Sequence, residues 1–153
     1  MIKQTINPIE ADKIKLLRGL YYMDFKKLKD IWYSAPRDAN FFDFLSENYV
    51  FYAENLPLFT VFLGKTSKQF PVNPVLTSNF VDLKTIKQVM ADRELLNTHG
   101  GAAGLKKHYE YLVSYHEEFN TNVSAKLKDQ LTQMHRIIET IAGFYNGDQN
   151  ANL

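Results

Sequence analysis

Apolar residues recur at helical spacing near the C-terminal end of the chain. Intervals of three and four positions place six of them on one stripe of an α-helix. Ser124 is a suitable N-cap, and Asn146-Gly147 favours a helix end because both residues tolerate the left-handed conformation. The stripe consists of Leu127, Leu131, Met134, Ile138, Ile141 and Tyr145.

A second helical pattern begins near the N-terminus. Asn7-Pro8-Ile9-Glu10 combines an N-cap, a proline at the first helical position and a glutamate at the third. Gly19 lies inside the pattern and costs about 1 kcal/mol relative to alanine, so a break there is one alternative. The apolar seam consists of Ile14, Leu17, Tyr21, Phe25, Leu28 and Trp32.

The middle of the chain carries a mixed pattern. Aromatic and leucine residues between positions 41 and 52 indicate a third helix that starts after Asp38 or Asn40. Residues 58–63 are short, apolar and partly β-branched, which fits either a strand or a buried helical turn. Pro71 and Pro74 indicate a loop, and further helices are predicted from Asn79 to about residue 98 and over 105–119.

These patterns predict an all-α fold. We expect a single-domain bundle of about five helices over residues 1–147, with an irregular proline-containing connection near residues 57–77. A flexible tail is expected over residues 148–153, because nothing in that segment can be buried.

Composition narrows the function classes. The 153 residues carry a net charge of +1 and no cysteine, which excludes disulfide scaffolds and thiolate chemistry. There is no apolar run long enough for a membrane span, so we expect a cytoplasmic protein. The four histidines lack the spacing of known metal motifs, and neither a metal nor a cofactor is expected.

Residues 97–108, NTHGGAAGLKKH, form the only glycine-dense segment. A phosphate-binding P-loop requires G-x-x-x-x-G-K-[ST] after a strand. Here Gly100 and Gly104 are one residue too close, Lys106 comes one position late, and a helix precedes the segment. The pattern is typical of a helix C-cap followed by a joint, although Lys106 and Lys107 near a helix start would also attract an anion.

Arg93 and His99 are the candidates for catalysis. The spacing of Leu83, Ile86, Val89 and Leu96 points Arg93 into the apolar face of its helix, where a guanidinium needs a partner. Arginine followed by histidine after five residues is similar to the R-x4-6-H motif of HEPN domains. That resemblance implies a metal-independent ribonuclease in which Arg93 stabilises phosphate charge and His99 transfers the proton. The alternative is a structural ion pair between Arg93 and an acidic residue.

The most organised polar feature lies beside the N-terminal seam. If the helix continues through Gly19, four cations and two tyrosines form a stripe about 27 Å long. Such a stripe suits an acidic protein surface or a nucleic-acid backbone, or it is a solvated helix flank. The candidate binding residues are Lys15, Arg18, Tyr22, Lys26, Lys29 and Tyr33.

Three functions follow, and protein binding comes first because the sequence has no convincing catalytic constellation. The first is protein binding without chemistry, as an adaptor, regulator or inhibitor whose partner is an acidic protein or a second copy of the chain. Five aromatic residues off the apolar seams favour it, because tyrosine is enriched at recognition surfaces: Tyr22, Tyr33, Phe51, Tyr111 and Tyr115. The alternatives are the HEPN-like nuclease and nucleic-acid binding. The abundance of Asn, Lys, Phe and Tyr indicates an AT-rich genome, which fits a phage or mobile-element protein as well as a host protein.

Overall fold

The computed structural model describes residues 8–119 and 124–151, with side chains over 13–117 and 124–144. The predicted cap at Asn7 and the tail residues Asn152 and Leu153 lie outside the described residues. Six helices and five strands are found there. In chain order they are α1 Pro8–Tyr22, α2 Phe25–Tyr33, β1 Phe41–Asp43, β2 Asn48–Phe51, β3 Leu58–Leu63, β4 Thr66–Pro71, α3 Pro74–Thr77, β5 Phe80–Asp82, α4 Leu83–Thr98, α5 Ala102–Phe119 and α6 Ala125–Ala151.

The predicted all-α helical bundle is wrong, because the strands form one antiparallel sheet in a mixed α and β fold. The sheet order is β4-β3-β2-β1-β5. Strands β1 to β4 follow one another as a meander, and β5 then pairs with the free side of β1. The chain divides into two compact units, Met1–Met90 and Ala91–Leu153, whose boundary lies within α4. The sheet belongs to the first unit.

The predicted third helix is a β-hairpin instead. Asp43 ends β1 and organises the turn: its carboxylate accepts from Leu45 N at 2.9 Å and from Ser46 Oγ at 2.7 Å. Glu47 then adopts a left-handed φ of 59°, which an α-helix excludes. Aromatic residues spaced three and four apart suggested a helix, but the polar turn between two β-favouring runs decides the structure.

Residues 58–63, left open between strand and helical turn, form β3. A tight two-residue turn connects β3 to β4, and Leu63 pairs with Thr66 across it. Gly64 has a φ of 71°, and a positive φ at this first central position matches a type II′ hairpin turn. The proline-containing connection predicted near 57–77 is therefore largely a hairpin.

Asn40 closes the open end of the β1–β2 hairpin. Its side-chain amide donates to Tyr52 O at 2.7 Å, and its Oδ1 accepts from Tyr52 N at 2.9 Å. Its backbone donates to Val50 O at 3.1 Å and accepts from Leu83 N at 3.0 Å, where α4 begins. One half-buried residue thus joins two strands and a helix start.

One face of the sheet carries an aromatic core. Val50 pairs directly with Val61, and Phe59 packs edge-on against Phe80 with ring centroids 5.1 Å apart. Burial is nearly complete at these four positions, so they provide much of the hydrophobic stabilisation of the sheet. Three half-buried residues pack around the cluster: Phe41, Tyr52 and Val72.

The N-terminal helix continues through Gly19 but ends at Tyr22. Met23 N donates to Gly19 O at 2.8 Å, and Asp24 then caps a new helix by accepting from Lys26 N at 3.2 Å. Of the predicted seam, Tyr21 and Leu28 are buried as expected, whereas Ile14 is 39% exposed. The buried residues of α1 and α2 are Leu20, Tyr21, Leu28 and Ile31.

In the second unit, α5 and α6 are the main contacting elements. The predicted cap of α6 is confirmed, because Leu127 N donates to Ser124 Oγ at 3.2 Å. The helix runs beyond Asn146-Gly147, where the sequence predicts an end, and reaches Ala151. Its buried seam lies partly one position away from the predicted one and consists of Met134, Ile137, Ile141 and Phe144.

The glycine segment is a helix C-cap, as its sequence indicates. Gly101 N donates to Leu96 O at 2.8 Å and Gly100 N to Asn97 O at 3.3 Å, the two bonds of a Schellman motif. Gly100 and Gly101 have φ of 77° and 102°. A Cβ added at Gly104 would overlap the carbonyl oxygen of His99, so this position also requires glycine.

Asn40→Ala removes both side-chain bonds to Tyr52 and leaves half-buried backbone groups unpaired. We expect it to lower the free energy of unfolding by about 1–3 kcal/mol. Asn40→Asp keeps the acceptor for Tyr52 N but places a carboxylate against Tyr52 O, so it will not restore stability at neutral pH. Urea unfolding measures both, with the exposed Asn55→Ala as control, expected within about 0.5 kcal/mol of wild type. Equal stability of Asn40→Ala and Asn55→Ala would contradict the role of Asn40.

Gly104→Ala will destabilise the joint by about 1–3 kcal/mol, because the new Cβ displaces the His99 backbone. Gly143→Ala is the matched control in α6, where an added Cβ meets nothing within 4 Å. There we expect stabilisation of about 1 kcal/mol, since alanine is the better helix former. Thermal unfolding of the two variants should shift in opposite directions, and shifts of the same sign would refute this reading.

Candidate functional site

Helix α2 presents half of the predicted binding residues on one outward face. Lys26, Lys29 and Tyr33 are exposed, Tyr33 to 73%, while Leu28 and Ile31 are buried on the opposite side. At 100° per residue the three outward side chains lie within about 60° of each other. Lys29 Nζ lies 5.6 Å from the centroid of the Phe25 ring, at the edge of this face.

A hydrogen bond from β2 holds α2 in position. Tyr49 OH on β2 donates to Ile31 O at 2.6 Å, and burial, with a smaller contribution from Asp30, raises the pKa of Tyr49 above its usual value. Lys27 Nζ lies 3.5 Å from Glu47 Oε1 in an exposed ion pair, which contributes little stability. The half-buried phenol thus anchors the helix and leaves Lys26 and Lys29 facing outward.

The other half of the predicted stripe lies on α1. Lys15 is exposed and Tyr22 is 58% exposed, with Arg18 Cζ 6.0 Å from the centroid of the Tyr22 ring. Because α1 ends at Tyr22, the six residues form two groups rather than one straight stripe. We call these groups the α1 triad (Lys15, Arg18, Tyr22) and the α2 triad (Lys26, Lys29, Tyr33).

The predicted surplus of surface aromatics is confirmed. All five residues identified off the seams are exposed, by fractions from 39% to 73%. On α5, Tyr111 and Tyr115 lie side by side with ring centroids 6.2 Å apart. Exposed tyrosines supply contact area at low entropic cost, which is characteristic of protein-binding surfaces.

Arg93 and His99 do not form an evident catalytic pair. Arg93 is half-buried within α4, whereas His99 follows its last residue and stacks on His108, with ring centroids 4.6 Å apart. Six helical positions separate two side chains by about 9 Å of rise and about 120° of rotation. The HEPN-like nuclease therefore stays a prediction.

The buried charge on α4 is Asp92, one position before the predicted arginine. Its side chain is fully buried, and Arg136 Nη2 of α6 lies 2.6 Å from its Oδ1. Arg136 is 42% exposed at its side chain, so only the carboxylate is withdrawn from water. Sequence spacing does not reveal this pair, because Arg136 follows Asp92 by 44 positions and lies on another helix.

The histidine stack was also missed, because its two members lie on opposite sides of the glycine joint.

Within the described residues, no group of three or more His, Cys, Asp or Glu side chains is placed to hold a metal ion. None of the helices described there is both long enough and apolar enough to cross a membrane.

A third surface, the β3–β4 hairpin, was missed by sequence reasoning. Every residue of β4 is exposed, and Leu58, Leu63 and Phe70 are each 40% exposed. The signal was present: six residues of β-favouring character, a Gly-Lys dipeptide and a second extended run are typical of a hairpin. The prolines that follow obscured it.

Comparison of the chain with protein-family models, with curated protein sequences and with solved structures finds no match.

Arg136→Gln will cost more stability than Asp92→Asn. Removing the guanidinium takes the ion-pair partner away from a fully buried carboxylate, a loss of about 3 kcal/mol or more. Neutralising Asp92 keeps a hydrogen-bond acceptor and leaves the half-exposed guanidinium in contact with water, so we expect about 1–2 kcal/mol. Urea unfolding of both variants and of the double variant gives the order and the coupling. An equal or reversed order would show that the buried carboxylate is not the sensitive partner.

Proposed function

We propose that this protein is a binding module without chemistry of its own, whose partner is an acidic protein that contacts the α1 and α2 triads. The observation that carries the proposal is the combination, on each triad, of an exposed tyrosine with two cations. Exposed aromatic area provides affinity, and the cations select an acidic surface and accelerate encounter.

The charge distribution supports an acidic partner. Residues 13–33 contain six basic and two acidic side chains, although the whole chain has a net charge of only +1. One of the two acids, Asp24, is engaged in capping α2. Much of the positive charge is thus concentrated on these helices, as expected for a specific contact rather than general attraction to polyanions.

Protein binding explains the triads better than nucleic-acid binding. A phosphate backbone favours a continuous track of cations, whereas the break at Met23 and Asp24 divides this one. Tyr33, at 73% exposure, is the most exposed of the large hydrophobic side chains described. Large exposed aromatics beside charged residues are typical of residues that dominate protein interfaces.

Lys26→Glu/Lys29→Glu will reduce partner capture from native-cell lysate by about tenfold or more, because two attractions become repulsions. The matched control is Lys126→Glu/Lys128→Glu, which makes the same charge change at two exposed positions of α6. Capture is quantified by mass spectrometry with and without nuclease treatment.

Equal capture by both double variants, or no protein that depends on Lys26 and Lys29, would contradict the proposal. Loss of capture on nuclease treatment alone would assign the α2 triad to nucleic acid instead. Amide NMR spectra of the variants establish that the fold is intact in each case.

A further inference from the structure

Strand β4 forms an open edge of the sheet. It pairs with β3 on one side and is last in the strand order. All six of its residues are exposed, in contrast to β5 at the opposite edge, where Phe80 and Val81 are buried. An exposed edge strand presents backbone groups that can pair with another chain.

The hairpin register identifies which groups face outward. A two-residue turn makes Leu63 and Thr66 a hydrogen-bonded pair, so alternate residues of β4 direct their N–H and C=O groups to β3. Val72, which has the same parity as Thr66, indeed donates its N–H to Pro57 O at 3.0 Å. The backbone groups of Ser67 and Gln69 therefore point away from the sheet, and Pro71 offers a carbonyl only.

The side chains beside this edge are apolar and basic. Phe70 is 40% exposed and stacks on the buried Phe59 ring with centroids 5.8 Å apart. Lys68 lies two residues before Phe70 and hence on the same face of the sheet. Residues 55–81 contain Lys65 and Lys68 and no acidic residue at all. An incoming strand thus meets an aromatic surface and uncompensated positive charge.

We propose that β4 binds an extended segment of a partner protein as an added antiparallel strand, with an acidic side chain opposite Lys68 and an apolar one opposite Phe70. Backbone bonds to Ser67 and Gln69 supply the pairing, and the two side chains supply the selectivity. This inference rests on the proposed protein-binding function and adds a second contact surface to it.

A second copy of the chain is a poor occupant of this edge. Pairing β4 with its own copy brings two Lys65 and two Lys68 side chains together within a short ladder that has no acidic neighbour in residues 55–81. Like charges on facing strands destabilise pairing, and lysine on an edge strand is a common obstacle to self-association. The same lysines attract an acidic segment.

The test uses the full chain and a capped peptide of sequence Thr-Ile-Thr-Glu-Thr-Ile-Thr. In the proposed register its glutamate lies opposite Lys68, one isoleucine lies opposite Phe70, and threonines lie opposite Ser67 and Gln69. Titration followed by amide NMR should shift the Ser67 and Gln69 signals. In an antiparallel pair the peptide residues opposite Ser67 and Gln69 direct their N–H groups to β4. N-methylation of the threonines should therefore abolish binding, whereas N-methylation of glutamate and isoleucine should be tolerated.

Two variants and a control separate the contributions. Lys68→Glu should weaken binding of the glutamate peptide about fivefold and strengthen binding of a lysine-substituted peptide by a similar factor. Gln69→Pro, which removes an outward N–H at an edge where proline is tolerated, should eliminate measurable binding. Lys84→Glu, an equal charge change at an exposed position of α4, should bind as wild type does.

Three results would overturn the added strand. They are peptide affinity unchanged by Lys68→Glu and Gln69→Pro, equal affinity of the two N-methylated peptides, and no shift of the Ser67 and Gln69 amide signals. Dimerisation of the chain that Gln69→Pro abolishes would instead assign the edge to a second copy. The proposed function has a separate readout, since capture that depends on Lys26 and Lys29 stands whether or not peptides bind β4.

Discussion

The sheet of the first unit depends on the side-chain amide of Asn40. A strand of three residues makes few ladder bonds, and β1 is such a strand with neighbours on both sides. The side-chain amide of Asn40 extends the ladder by hydrogen bonding to the backbone N–H and C=O of Tyr52. The backbone of Asn40 hydrogen bonds to Val50 and Leu83. The start of α4 at Leu83 is thereby coupled to strand pairing. No apolar residue at position 40 would satisfy these groups.

Helices were predicted better than strands because their pattern is local. The C-cap at Gly100 and Gly101 and the N-cap at Ser124 were recognisable, since each depends on residues within one turn. Over residues 41–52 the same local logic failed, because aromatic spacing fits a helix until the partners of β1 are known. Strand pairing is a long-range property: Phe41 faces both Val50 and Asp82.

The candidate sites show the same division between composition and geometry. That Tyr22, Tyr33 and Tyr111 are exposed followed from their positions off the seams. The break between the two triads was not predicted at its true position. The sequence indicated a possible break at Gly19, whereas α2 begins after the cap at Asp24. Burial of Asp92 rather than Arg93 is a difference of one helical position, about 100° of rotation, which spacing arguments do not resolve.

The late position of β5 in the chain has a consequence for synthesis. Strands β1 to β4 are consecutive hairpin partners and can pair as soon as they leave the ribosome, since their contacts are local. The second edge of β1, which carries Phe41 and Phe42, stays open until Asp82 has been made. During that interval a nascent chain exposes an aromatic strand edge that the finished protein covers. A pause in translation between residues 51 and 82 would prolong this exposure.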